Sequence, residues 1–181
     1  MLRNDTMQKA IFLDRDGVIN EVKTDRVRFV NNPDDLYLLD GVGGAIKIFN
    51  DANWKVFVIT NQGGVGLGYM KEESLQAIHQ RMQDDLALSG ATIDDIRYCP
   101  HKPHANCACR KPKPKMITDL AKDHDVDVKK SYMVGDREPD IKAGEQAGTK
   151  TVLIGERLKS DIGADLHFPS LLAFAKWLLG E

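Results

Sequence analysis

Six short apolar runs, each closing in a polar or glycine-bearing turn, constrain this 181-residue chain more than any other feature. They cover residues 10–13, 55–59, 96–98, 132–134, 151–154 and 165–168. Helical periodicity lies between them, at 42–52, 71–89, 115–124, 140–147 and 170–179. Runs so short and so continuously apolar read as strands buried on both faces. Strands alternating with helices predict an α/β fold, a doubly wound parallel sheet with helices on both faces. Gly90 and Gly148 stand where two of the helices need a left-handed C-terminal residue. Two interruptions remain, 18–40 and 99–114, the second rich in Pro, Cys and His. Loops this long in a compact domain usually carry function. Neither is long enough for a separate cap domain. The expected organisation is one domain over 7–181, with 1–6 a flexible leader and Met7 an alternative start.

Composition excludes several classes. Hydrophobic residues make up 42% and charged residues 29%, an ordinary globular balance. A net charge of −2 leaves no basic footprint for nucleic acid. No apolar stretch is long enough to span a bilayer. The first nine residues lack the apolar core of a signal peptide. The expectation is a cytoplasmic, monomeric protein acting on a small molecule, with neither nucleic acid nor membrane as partner. The three cysteines, Cys99, Cys107 and Cys109, are odd in number and cluster in one loop. In a reducing compartment that clustering suggests a metal rather than a disulfide.

Four segments carry chemistry, and three of them lie at strand ends. Open α/β sheets bind ligands at the carboxyl ends of their strands. The first segment is Asp14-Arg15-Asp16-Gly17, directly after the first strand. Two carboxylates there can hold a divalent cation, and a free one can attack phosphorus or move a proton. The second is Thr60-Asn61-Gln62-Gly63-Gly64, whose hydroxyl and backbone N–H groups suit phosphate oxygens. The third is Arg110-Lys111-Pro112; a fixed cation beside two aspartates neutralises phosphate charge and keeps carboxylates ionised. The fourth is Gly135-Asp136-Arg137-Glu138-Pro139-Asp140. Asp136 can complete a cation site with Asp14; Asp140 either joins it or caps the next helix.

Taken in order, D-R-D-G, T-N, R-K-P and G-D-x-x-x-D resemble the haloacid dehalogenase-like phosphohydrolases, over about residues 9–158. The resemblance implies a magnesium-dependent phosphatase working through an aspartyl-phosphate. It makes Asp14 the nucleophile and Asp16 the acid and base. It assigns Thr60, with Asn61, Gln62 and Gly63, and Lys111 to the transferring phosphoryl group. It gives Mg2+ to the Asp14 side chain, the Asp16 backbone carbonyl and Asp136. A second aspartate at position 16 favours hydrolysis, because a base is at hand to activate water.

The cysteine loop reads C-x-H-x5-C-x-C, from Cys99 through His101 and Cys107 to Cys109. Three thiolates and one imidazole make a closed tetrahedral Zn2+ set with no open position, hence a structural site. A chance cluster and a redox pair at Cys107 and Cys109 are the alternatives, and His104 is the competing imidazole. Arg110 and Lys111 follow Cys109 directly, so zinc there would fix where Lys111 points. The loop resembles the zinc-containing histidinol-phosphate and heptose-bisphosphate phosphatase branch, which also favours His101. The resemblance implies that Arg110 contacts substrate phosphate and that Arg137 is a basic residue beside the metal-binding aspartate. It implies a small sugar phosphate as substrate, nearest to the 7-phosphate of a heptose 1,7-bisphosphate, with histidinol phosphate the alternative. The chain departs from the branch at residues 22–29. There Lys23, Arg26 and Arg28 form either a second phosphate site or a solvated basic loop. His79 is expected at a surface or boundary position, and His124 and His167 have no ligand-like sequence neighbours. Trp54 and Trp177 are expected in the core or anchoring a helix.

Overall fold

The structure is a computed structural model describing residues 7–156 and 162–181. The leader expected over residues 1–6 lies outside them. Six strands form one sheet, and every pairing is parallel. They are β1 (Ala10–Leu13), β2 (Lys55–Asn61), β3 (Asp95–Cys99), β4 (Tyr132–Gly135), β5 (Lys150–Ile154) and β6 (Leu166–Phe168). The order across the sheet is β3-β2-β1-β4-β5-β6, so the winding reverses at β1 and β4. Ligands bind in the crevice at such a switch point.

The continuous apolar runs follow from burial on both faces. Ile11 and Leu13 of β1 join one core with Val56 and Val58 of β2. The intervening Ala10 and Phe12 join the other, with Phe57 and Ile59. Helices α1 (Val42–Asp51), α3 (Glu72–Ala87) and α6 (Leu171–Leu179) cover the first face through Ile46 and Phe49, Leu75 and Ile78, and Phe174. Helices α4 (Lys115–Asp123) and α5 (Glu138–Ala147) cover the second through Met116, Ile117, Leu120 and Ala143. Phe12 and Phe57 meet there with ring centroids 5.4 Å apart. Burial of each such side chain contributes about 1.5–3 kcal/mol.

The expected elements all form, with shifted ends. Strand β2 runs two residues further than its apolar pattern, to Asn61, because Thr60 and Asn61 still pair with Tyr98 and Cys99 of β3. Helix α5 starts at Glu138 rather than Asp140, with Pro139 in its first turn. A one-turn helix, α2 (Gly63–Gly66), has no apolar period and was invisible to pattern reading. Residues 14–41 contain only isolated bridges and the three-residue 3-10 helix Pro33–Asp35. Residues 100–114 contain neither helix nor strand. Neither interruption forms a cap. No helix among the described residues is long and apolar enough to cross a membrane.

Candidate active site

The carboxyl ends of β1, β2 and β4 bring Asp14, Thr60 and Asp136 to one crevice. The Asp14 N–H still donates to the Val134 carbonyl (3.0 Å), so the ladder itself aims the first carboxylate. Lys111 reaches in from the cysteine loop. Its Nζ lies 2.8 Å from Asp14 Oδ1, 2.7 Å from Asp140 Oδ1 and 2.9 Å from the Ile59 carbonyl. All three side chains are buried. Asn61 clasps the Lys111 backbone at both ends, donating to its carbonyl (3.1 Å) and accepting from its N–H (2.9 Å). A buried lysine normally loses its proton, but Asp14 and Asp140 outweigh burial and hold the Lys111 pKa above its usual value. Burial, reinforced by Asp140, raises the Asp14 pKa well above its usual value; Lys111 offsets only part of this.

Asp16 is held differently. Its Oδ1 accepts from Arg15 Nε (3.2 Å), Arg15 Nη2 (3.0 Å) and Asn20 Nδ2 (3.0 Å). Among the described residues its Oδ2 accepts only from Gln62 Nε2 (3.2 Å), which also donates to Thr60 Oγ1 (2.7 Å). Burial pushes its pKa up, but Arg15 and these hydrogen bonds outweigh it and leave Asp16 below the usual range. The carboxylate is therefore ionised before substrate arrives. To act as an acid it must take up a proton as an anionic phosphate binds, which raises a neighbouring pKa.

Asp14, Asp136 and Asp140 present carboxylate oxygens within 4.8 Å of one another. Asp14 Oδ2 and Asp136 Oδ1 are buried without a hydrogen-bond partner among the described residues. Burial and Asp140 raise the Asp136 pKa, against the lowering effect of Arg137. A hard divalent cation fits this surplus of orphaned carboxylate oxygen. Asp140 is the least available ligand. Its Oδ1 serves Lys111, and its Oδ2 accepts from the N–H groups of Asp136 and Arg137 (both 3.2 Å), capping α5. It thus ties the helix start to Lys111. The Asp16 carboxylate stands outside the cluster, which leaves its backbone carbonyl as its means of reaching a cation. Gly17 makes the close approach possible: it sits at φ +85°, and a Cβ there would lie 2.2 Å from Asp136 Oδ2.

A pocket of about 410 Å³ opens over these groups. Asp16, Asn61, Gln62, Gly63, Arg110, Asp136 and Arg137 line it, whereas Asp14, Thr60 and Lys111 are buried and do not form its lining. From the divergent 22–29 segment only Val22, Lys23 and Phe29 reach it. Arg26 turns away, pairing with Glu21 at 2.6 Å and stacking over the Tyr37 ring.

The cysteine loop closes as its spacing predicts. Cys99 Sγ is 3.4 Å from His101 Nδ1 and 3.5 Å from Cys107 Sγ, and His101 Nδ1 is 3.3 Å from Cys109 Sγ. The four could hold a metal ion. His104 is exposed, at φ +64°, and is not part of the group. Arg110 Nη1 donates to the His101 carbonyl (3.3 Å), which links this loop to the pocket wall.

Comparison with known proteins decides the family. A family profile described as HAD-hydrolase-like matches residues 108–167. The D-glycero-beta-D-manno-heptose-1,7-bisphosphate 7-phosphatase of Rhodopseudomonas palustris is 42% identical over 146 residues, covering 77% of this chain and 79% of that protein. The enzyme of that name from Neisseria meningitidis serogroup A is 35% identical over 182 aligned positions, covering 96% of each. A crystal structure of the D,D-heptose 1,7-bisphosphate phosphatase from B. bronchiseptica, complexed with magnesium and phosphate, matches with a TM-score of 0.87. It is 37% identical and covers 96% of this chain and 99% of that one. The chain belongs to the haloacid dehalogenase-like (HAD) phosphatases.

As a HAD phosphatase it is a phosphoric monoester hydrolase. Two features of its site escaped sequence reading. Arg15 has no role assigned from sequence, yet it is fully buried and holds Asp16. His79, expected at the surface or a boundary, is buried and meets Arg15 Nη1 at 3.2 Å. The signal was present in α3: position 79 lies four residues after Leu75 and three before Met82, on the apolar stripe. His124, without ligand-like sequence neighbours, pairs with Asp95 at 2.8 Å, remote from the site. His167 Nε2–H donates to the Gly155 carbonyl. Trp54 is buried; Trp177 is half exposed and packs against Phe168 and Phe174.

Proposed function

We propose that this HAD phosphatase removes the 7-phosphate of D-glycero-D-manno-heptose 1,7-bisphosphate through an aspartyl-phosphate on Asp14. The observation that carries the chemistry is the buried Asp14–Lys111 pair beneath a pocket that Asp16, Arg110 and Arg137 also face. The named relatives carry the substrate.

The steps follow from the residues. Lys111, Arg110 and Arg137 attract the phosphate and offset the repulsion between it and Asp14. The Asp14 carboxylate attacks phosphorus, and the bond to the sugar oxygen breaks. Asp16 Oδ2 gives its proton to that oxygen, so the alcohol leaves neutral. Asp16, ionised again, takes a proton from water as the water oxygen attacks phosphorus. The bond from phosphorus to Asp14 then breaks, restoring the carboxylate and releasing inorganic phosphate. Asn61 and Gln62 act by holding Lys111, Asp16 and Thr60 in place, while Thr60 and the Gly63 backbone meet phosphate oxygens.

Asp14, Asp136 and the Asp16 carbonyl would hold Mg2+, which supplies charge neutralisation for the attacking carboxylate and the phosphoryl group. Cys99, His101, Cys107 and Cys109 would hold structural Zn2+. Zn–S near 2.3 Å and Zn–N near 2.05 Å give tetrahedral edges of about 3.8 Å and 3.6 Å. The observed separations of 3.3–3.5 Å are close to these. Residues 7–181 act as one cytoplasmic domain on a small metabolite. The proposal takes the protein as a monomer.

The test is phosphate release, with magnesium, from both anomers of the heptose 1,7-bisphosphate and from histidinol phosphate. A preference of ~100-fold in kcat/KM for the heptose, about 2.7 kcal/mol, supports the reading. A preference for histidinol phosphate, or flat activity on both, overturns the substrate and turns attention to residues 22–29.

A further inference from the structure

We infer that Arg15 and His79 are positioning residues that aim the proton-carrying oxygen of Asp16 at the leaving group. The inference rests on the reading of Asp16 as acid and base. Arg15 is the largest fully buried side chain among the described residues. A guanidinium offers only donors, and each buried donor needs an acceptor. Nε and Nη2 both point at Asp16 Oδ1, at 3.2 and 3.0 Å. Nη1 points the other way, at His79 Nε2, at 3.2 Å. Since Arg15 must donate, Nε2 must accept, and the ring is neutral with its proton on Nδ1.

The imidazole itself cannot move freely. Leu75, Ile78 and Met82 anchor the same face of α3 in the core, and the Tyr98 ring stands 5.9 Å away. The guanidinium plane is thus pinned at both ends. Three donors load Asp16 Oδ1, counting Asn20. Oδ2, with Gln62 alone, is left as the oxygen on which a proton can ride, and Asp16 lines the pocket. Burial and Arg15 also depress the His79 pKa to about 3, so the acceptor persists through the working pH range. If His79 could not accept, the guanidinium would lose its outer anchor and the carboxylate could rotate with it.

The test is leaving-group selectivity, which a merely structural role would not move. Departure of 4-nitrophenolate needs little protonation; departure of phenolate needs more. We expect His79→Leu to lower kcat/KM for phenyl phosphate at least ~10-fold more than for 4-nitrophenyl phosphate, a fraction of the ~10²–10⁴-fold supplied by a general acid. His79→Gln, whose side-chain oxygen can accept from Arg15, should keep wild-type selectivity. Asp16→Asn sets the scale. If Asp16→Asn shows no selectivity, the acid assignment fails and the inference with it. If Asp16→Asn is selective and His79→Leu depresses both substrates equally, or neither, the inference alone is overturned. Should His79→Leu not fold, Arg15→Lys takes its place: it keeps the charge and loses the fork, and wild-type selectivity there is equally fatal.

Discussion

His79 makes the stability of this protein depend on pH in a way that one substitution isolates. Its pKa falls from 6.5 to about 3, first because burial penalises the charged ring and then because Arg15 repels it. The unfolded chain binds a proton at 6.5, and the folded chain does not until about 3. Between those values the unfolded state holds more protons, so stability falls as pH falls, by about 1.4 kcal/mol per unit. The contribution is fully present above the unfolded pKa and fully lost below the folded one. From pH 7 to pH 5 the loss is about 2 kcal/mol, a large share of the ~5–15 kcal/mol that holds a typical domain. His79→Gln keeps an acceptor for Arg15 and has no proton to gain. Urea unfolding of both proteins at pH 7 and pH 5 is the assay. Carboxylates titrate in both proteins and cancel in the difference. The wild type should lose about 2 kcal/mol more than His79→Gln, near 0.8 M in midpoint for a slope of about 2.5 kcal/mol per M. Equal losses would show that the His79 ring is protonated in the folded protein, refuting its assignment as a buried acceptor.

Other perturbations test the rest of the site. Lys111→Met leaves Asp14 and Asp140 buried without their cation, and should cost about 3–5 kcal/mol of unfolding free energy as well as activity; a stable, active variant would contradict the pairing. Zinc analysis should find one ion per chain, and chelating it should lower phosphate release while magnesium affinity holds, because Cys109 stands two residues before Lys111; full activity without zinc would refute a positioning role. Gly17→Ala places a methyl 2.2 Å from Asp136 Oδ2 at a φ that disfavours side chains; magnesium should bind more weakly by calorimetry, and unchanged affinity would remove Asp136 from the cation site.

The sheet was legible because parallel strands buried on both faces leave an uninterrupted apolar signature, as in Ala10–Leu13. The site was legible wherever chemistry sits at a strand end, as with Asp14, Thr60 and Asp136. The cysteine cluster was legible because three thiols and an imidazole at this spacing fall within one short segment, which the fold brings together. What stayed hidden depends on contacts between residues far apart in sequence. Asp140 reads as a cap or a cation ligand, and only the fold shows its carboxylate capping α5 and pairing with Lys111. His79 and Arg15 are separated by 64 positions, and no local pattern links them. For Arg26 the sequence leaves a second phosphate site and a solvated basic loop equally open, and only the fold shows it paired with Glu21 and stacked over Tyr37.

The passage of the phosphoryl group through Asp14 is the point on which everything else depends. It is tested most directly by acid-quenching the enzyme during turnover of a phosphomonoester with magnesium and mapping its peptides by mass. The mechanism predicts one added phosphoryl group on Asp14, labile to base and absent in Asp14→Asn, which should also fall by at least ~10³-fold in turnover. A phosphoryl group on another residue, or an Asp14→Asn variant that turns over at near the wild-type rate, would contradict it.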